Sequence, residues 1–177
     1  NLVYIVQGGL YCKGYNPNGF DGVYGNGAYS AVKSLKADMG FPNASGNMNR
    51  DIMKALLDMS AFTLLPGGTS EIREIQQKLN YDYYDYYQIS PCNGLYDREM
   101  NKMLIYALQK EEGIPKGSAT GTWGPSTISK CPTLELGKSS NVVKLVRYAL
   151  VCNGISVSTS SKTYDSTLDA KAKEFSK

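Results

Sequence analysis

The chain has 177 residues, 42% of them hydrophobic, which suffices to bury a core in one medium domain or in two or three small ones. Nineteen basic residues against 16 acidic leave a net charge of +3 with no basic run, a balance that does not match the electrostatic footprint of a nucleic-acid binder. Histidine is absent, which excludes Ser-His and Cys-His nucleophile pairs and removes the commonest zinc ligand.

The apolar runs are too short to cross a bilayer, so no membrane partner is expected. The chain opens on Asn1, not Met, and carries no leader pattern, as a processed or excised piece would. Tyrosine is abundant, with 14 residues against one tryptophan and four phenylalanines. Its flat apolar ring and polar tip suit wet interfaces and carbohydrate as well as half-buried helix positions.

The first element is a helix, because Val3, Val6 and Leu10 recur at i, i+3, i+7. A glycine-rich turn follows, Phe20-Asp-Gly-Val-Tyr-Gly-Asn-Gly27. A second helix carries Ala31, Val32 and Leu35 on its inner face and closes at Gly40. Gly46-Asn-Met48 then leads into a third, short helix with Ile52, Met53, Leu56 and Leu57.

After a joint at 65–69 the order begins again. Ile72, Ile75 and Leu79 repeat the first stripe, with Gln76 standing where Gln7 stands. A tyrosine-rich run, Tyr81 to Ile89, precedes a second turn, Asn93-Gly-Leu-Tyr96. That run reads equally as a stacking platform and as a helix end packed against neighbouring units. Leu104, Ile105 and Leu108 form the next inner face, and Gly113 closes that helix. Gly121-Thr-Trp-Gly-Pro-Ser-Thr127 opens another short helix toward Ile128 and Cys131, with Pro125 favourable at its start.

A second joint lies at 136–141. Beyond it, residues 143–175 overlay residues 3–35 at a constant shift of 140, without a gap: Val143 on Val3, Leu150 on Leu10, Cys152 on Cys12, Tyr164 on Tyr24. The division expected is therefore 1–65, 66–137 and 138–177, the last unit stopping after its second helix. Two helices of a dozen residues do not fold alone. The turn must bring their stripes together: Gly after Asp21 or Asn93 allows a positive φ, and the Tyr two positions on can pack over the junction. In the last unit Val146, Leu150 and Phe175 are expected to lack a covering helix and to lean on unit two or on another chain.

These residues, "VQGGLYCKGY…FDGVYGNGAYSAVKSLKADMGF" with "GTWGPST" in the second unit, resemble the peptidoglycan-binding-like domain family. Its members are three-helix modules of bacterial and phage cell-wall enzymes. The second turn departs from the family pattern, with Asn93 for Asp and Asp97 for Gly, and the third has Ser161-Lys162 in place of Asp-Gly. Three tandem units are also similar to the region preceding a glycoside-hydrolase-like barrel in secreted Gram-positive proteins. The resemblance implies an all-α fold, peptidoglycan glycan or stem peptide as partner, an adjacent catalytic-like domain, and a secreted, wall-bound location.

Asp21, Gly22, Tyr24, Asn93, Gly94, Tyr96 and Tyr87 are the expected ligand residues, rings for stacking and turn polar groups for hydrogen bonds. No catalytic residue, metal or cofactor is expected: Asp21, Asp97 and Asp165 lie in separate units, and an Asp at a turn usually caps backbone. Trp123 matches Met48 and is expected in the core. Cys12 and Cys152 share one repeat position, and Cys92 and Cys131 stand where Phe20 and Leu56 stand; all four are expected as free, buried thiols, with Cys92–Cys131 the alternative if a bridge forms. The function expected is a non-catalytic wall-binding array. Its alternatives are a structural or docking array with no ligand site, or part of a cell-wall glycoside hydrolase.

Overall fold

The computed structural model describes residues 1–58, 64, 66–89 and 92–176; Leu65, the first residue of the first expected joint, lies outside them. Eight helices follow in order: α1 (Leu2–Cys12), α2 (Asn26–Asp38), α3 (Arg50–Leu57), α4 (Ser70–Tyr83), α5 (Arg98–Glu111), α6 (Pro125–Lys130), α7 (Asn141–Cys152) and α8 (Ser166–Phe175). Among the described residues there is no strand, only an isolated antiparallel bridge between Ser139 and Thr163. The fold is all-α.

Local chemistry sets the helix ends. Asn1, Asn49, Thr69, Asp97, Ser140 and Asp165 each accept a hydrogen bond from a first-turn N–H, satisfying a donor that has no partner within the helix. Four helices stop in one way. Gly14, Gly40, Gly113 and Gly154 take positive φ, and the residue after each donates its N–H to the carbonyl five back at 2.8–2.9 Å.

The first core is shared by α1, α2 and α3. Val6, Leu10, Val32, Leu35, Met39, Ile52 and Leu56 interlock there. Leu56 lies so close to Gly9 that a Cβ at that glycine would stand 2.9 Å from its Cγ, which is why α1 and α3 approach closely. Of the apolar residues of α3, Ile52 and Leu56 are buried and Leu57 is exposed.

The second core is built differently. Ile75, Leu79, Tyr83, Met100, Met103, Leu104 and Ala107 of α4 and α5 pack with Leu145, Tyr148 and Cys152 of α7. Ile105 and Leu108, expected to face inward with Leu104, are only half-buried. The six-residue α6 buries Thr127 alone, and its Ile128 is exposed. So α7 closes the second core, the place α3 takes in the first. Asn141 adds hydrogen bonds to Glu111 at 3.0 and 3.1 Å, and Lys144 pairs with Asp82 at 3.0 Å.

The other face of α7 joins α8 through Val143, Leu150 and Leu168. Here the expectation of an uncovered Leu150 is corrected. Leu134, Ile155, Val157 and Tyr164 from neighbouring loops pack on that cluster, and Leu150 is buried. Val146 is half-buried and Phe175 is exposed. Unit one meets α4 through polar contacts, Gln77 donating to the Asp38 carbonyl at 2.8 Å and Asn80 to the Met39 carbonyl at 3.3 Å.

Candidate functional site

A buried polar side chain in each of α1, α4 and α7 grips the turn that follows. Gln7 Nε2 donates to Asp21 Oδ1 at 2.7 Å and to the Val23 carbonyl at 3.1 Å, while its Oε1 accepts the Gly22 N–H at 3.0 Å. Gln76 repeats this with Asn93 Oδ1 (3.2 Å), the Leu95 carbonyl (3.1 Å) and the Gly94 N–H (2.9 Å). In the third repeat the position is Arg147, whose guanidinium reaches the Ser158 and Thr163 carbonyls and Asp165. Burial and polarity together demand such partners.

A second grip follows in the second helix. Gln109 accepts the Thr120 and Gly121 N–H groups and donates to Thr122 and Thr127. Lys36, its counterpart, donates to the Ser45 and Asn47 carbonyls at 2.8 and 2.6 Å, and burial pushes its pKa down.

The expected ligand residues therefore fall into two separate turns, one per unit, with Tyr87 apart from both. Asp21 and Gly22 are engaged by Gln7; Asn93 is buried and, with Gly94, is engaged by Gln76. The hydrogen bond from Gln7 is the main reason the Asp21 carboxyl sits below its ordinary range, the Val23 N–H adding to it. Tyr24 lies half-buried on the first core with its hydroxyl on the Gly46 carbonyl at 2.7 Å. The Tyr96 ring is partly exposed.

Tyr87 stands elsewhere. Its ring stacks on Tyr106 at 5.0 Å and 12°, with Lys102 Nζ 4.9 Å from the ring centre. Its hydroxyl bonds the Glu99 carboxylate, and burial first, then Glu99, raises the phenol pKa.

The tyrosine-rich run divides between the two readings open to it. Tyr83 enters the core, whereas Tyr81 and Tyr84 point out. They flank a cleft of about 670 Å³ whose opposite wall is residues 41–45 and Asn49 of unit one. Tyr84 also meets Phe41 edge-on at 6.4 Å. A second groove of about 560 Å³ runs past Arg50, Lys54, Tyr87 and Lys116. Asn49, Tyr84 and Gln88 line both, so the two form one furrow. Gln88 Oε1 is buried at its wall and accepts no hydrogen bond from any described residue. Asn49 and Gln88 carried no signal in the sequence, because single amides 39 positions apart belong to no motif.

The carboxylates beside the turns have structural partners. Asp97 and Asp165 accept the Met100 and Leu168 N–H groups at 2.9 and 2.8 Å, and Asp21 accepts the Val23 N–H at 2.9 Å. Among the described residues no group of acidic, Cys or His side chains is arranged to hold a metal ion. No helix among them is long and apolar enough to cross a membrane.

Trp123 is exposed, contrary to the core position expected for it. It precedes α6 instead of lying on it, and Thr127 takes the inward place. All four cysteines are free thiols, but only Cys92 and Cys152 are buried. Burial pushes both of those up to about 12. Cys12 and Cys131 are exposed, which corrects the expectation that all four are buried: α6 is too short to carry Cys131 inward, and Cys12 lies on the outer side of α1.

Comparison with known proteins gives this architecture a family. Residues 1–56 match the model described as "Putative peptidoglycan binding domain". Residues 65–177 match the FadG/YbfG, PGDB-like domain. The uncharacterized protein YbfG of Bacillus subtilis (strain 168) is 53% identical over 155 residues, 87% of this chain and 21% of YbfG. The uncharacterized protein FadG of the same organism is 38% identical over 180 residues, 99% of this chain and 31% of FadG. The chain thus spans about a fifth to a third of the length of the curated relatives it matches. No solved structure matches it. With the FadG/YbfG, PGDB-like domain over residues 65–177 and a match to the peptidoglycan-binding model over residues 1–56, the chain belongs to the peptidoglycan-binding-like domain family.

Proposed function

We propose that this chain is a non-catalytic module that binds bacterial peptidoglycan and holds an attached wall-active domain at the cell wall. The observation that carries the reading is the furrow between unit one and the tyrosine-rich segment, in a chain of peptidoglycan-binding-like family. Tyr81 and Tyr84 offer exposed rings on which a sugar face can stack. Asn49 and Gln88 line the furrow, and their side-chain amides are of the type suited to N-acetyl and hydroxyl groups. The second groove is lined by both signs of charge, Arg50, Lys54 and Lys116 with Asp51, Asp85 and Glu99, which suits a stem peptide that carries carboxylates and amines alike. Tyr87 is the member of the expected ligand set that lies on this furrow. Asp21, Gly22, Asn93 and Gly94 shape the turns, and Tyr24 and Tyr96 flank them.

Co-sedimentation with purified walls tests the reading. The chain is expected to pellet with walls, and Tyr81→Ala with Tyr84→Ala to reduce the bound fraction about tenfold, as loss of two stacking contacts would. A second reading, a structural array with no ligand of its own, is favoured by the internal engagement of the turn polar groups. Absence of co-pelleting at any salt supports that one. Loss of wall turbidity on incubation would instead revive an enzyme.

A further inference from the structure

One helix face occurs three times in this chain, in two chemical forms. On α7 it is Val142, Leu145, Tyr148 and Cys152, and it is apolar. There it is covered: Leu145 is 5% and Tyr148 0% exposed against α4 and α5. On α4 the matching residues are Glu71, Glu74, Gln77 and Tyr81; its first two positions are open, the glutamates lying in solvent, while Gln77 meets unit one by donating to the Asp38 carbonyl. On α1 the matching residues are Leu2, Ile5, Gly8 and Cys12. They have the chemistry of the covered form and the exposure of the open one. Leu2 is 64% and Ile5 52% exposed, and Cys12 is exposed as well.

The patch continues past the stripe. Tyr4 and Tyr11 are exposed beside it, and Phe20 meets Tyr11 edge-on at 5.4 Å. A contiguous apolar face of this extent marks an interaction surface. At Gly8 nothing lies within 4 Å of where a Cβ would stand, so a partner's side chain can enter where α7 carries Tyr148.

We propose that the α1 face docks a further three-helix unit of this same kind, seated as α7 is seated on α4 and α5. The partner presents an apolar helix pair like α4–α5, lined by Met, Leu and Ala. The curated relatives extend well beyond the aligned region and have length for more such units. A second copy of this chain is a poorer occupant, because its own α4–α5 pair is already covered by α7. The proposal is independent of the furrow, from which α1 contributes no lining residue.

Cys12 reports on the docking. In the full-length protein that carries these residues, alkylation by iodoacetamide is followed by peptide mass mapping, with the sedimentation mass measured in parallel. Expected is a monomeric mass with Cys12 labelled about tenfold more slowly than in Ile5→Glu, while Cys131 labels alike in both. Equal labelling of Cys12 in the two proteins overturns the proposal. Protection of Cys12 only in a species of dimeric mass also overturns it, by making a second copy the occupant. Hydrogen-exchange protection of the α1 amides around Val6 and Leu10, unchanged in Ile5→Glu, checks that unit one remains folded, and loss of wall binding by Tyr81→Ala leaves the Cys12 result unchanged.

Discussion

Arg147 Nη2 lies 2.5 Å from the Asp165 carboxylate, at the helix position that Gln7 and Gln76 hold in the other repeats. The exchange follows from the turn. A glutamine amide both donates and accepts, so it suits a turn that offers a side-chain oxygen and a Gly N–H together. The third repeat has Ser161-Lys162 there, and the turn instead presents the carbonyls of Ser158 and Thr163. A guanidinium has donors only, and its fork reaches both carbonyls and the carboxylate. Arg147→Gln is expected to cost about 1–2 kcal/mol, since the shorter amide at this buried position cannot reach the half-buried Thr163 carbonyl and the Asp165 carboxylate. Hydrogen exchange should show amides 158–165 opening first. Unchanged protection there would mean that the guanidinium does not hold the turn.

Asp21 and Asn93 do the same work with different charge, which makes a pH prediction. The hydrogen bond from Gln7, and next the Val23 N–H, hold the Asp21 pKa below its unfolded value. A carboxyl depressed in the folded state stabilises fully above its unfolded pKa, and that contribution disappears as pH falls through the lower folded one. Asp21→Asn copies the second turn, where Asn93 accepts from Gln76 at 3.2 Å. The variant is expected to match the parent near neutral pH and to lose less stability as pH falls below about 4. Thermal melts across that range check it; identical acid limbs would show that Asp21 is not held in its charged form.

Glycine at the two turns is expected to be unequally replaceable. Gly22 and Gly94 have φ of 71° and 78°, so alanine at either is strained by about 1 kcal/mol. Their surroundings differ. A Cβ at Gly22 meets the Tyr4 ring at 2.6 Å, and that ring stands at the surface and can turn. A Cβ at Gly94 meets the Thr69 carbonyl oxygen at 2.5 Å, which is backbone, and Gly94 and Thr69 are themselves hydrogen-bonded at 2.9 Å. Gly94→Ala should therefore lower the urea midpoint clearly more than Gly22→Ala does.

Much of the fold was legible because helical stripes, capping residues and closing glycines are local signals. Val6, Leu10, Ile75, Leu79, Val143 and Leu150 all lie where their period placed them. The turns were legible as turns, but their polar atoms were read as available when Gln7 and Gln76 hold them. Gln76 was visible only as a repeated letter, since its reach to residues 17 to 19 positions away depends on how the helix pair closes. Trp123 was misplaced because a match to Met48 carries no information about where α6 begins. Tyr81 and Tyr84 were ambiguous for a physical reason: tyrosine serves core and surface alike, and Tyr83 between them is buried. The furrow needed the packing of unit one against α4, which rests on single polar contacts and leaves no periodic trace.

The sharing of α7 separates two accounts of how the second core is sealed. Had each repeat closed itself, α6 would serve α4 and α5 as α3 serves α1 and α2. Leu56 on α3 is buried, whereas Ile128 on α6 is exposed and Leu145 on α7 is buried against α4 and α5. Leu56→Ala and Leu145→Ala should each cost about 3 kcal/mol through lost burial and the cavity left behind. Ile128→Ala should stay within about 0.5 kcal/mol of the parent, as surface changes do. Leu145→Ala should also speed exchange in α4 and α5 and raise the labelling of Cys152, because among the described residues α7 is the helix that covers the second core. If Ile128→Ala destabilised α4 and α5 and Leu145→Ala did not, α6 would be the true third helix and α7 a peripheral neighbour.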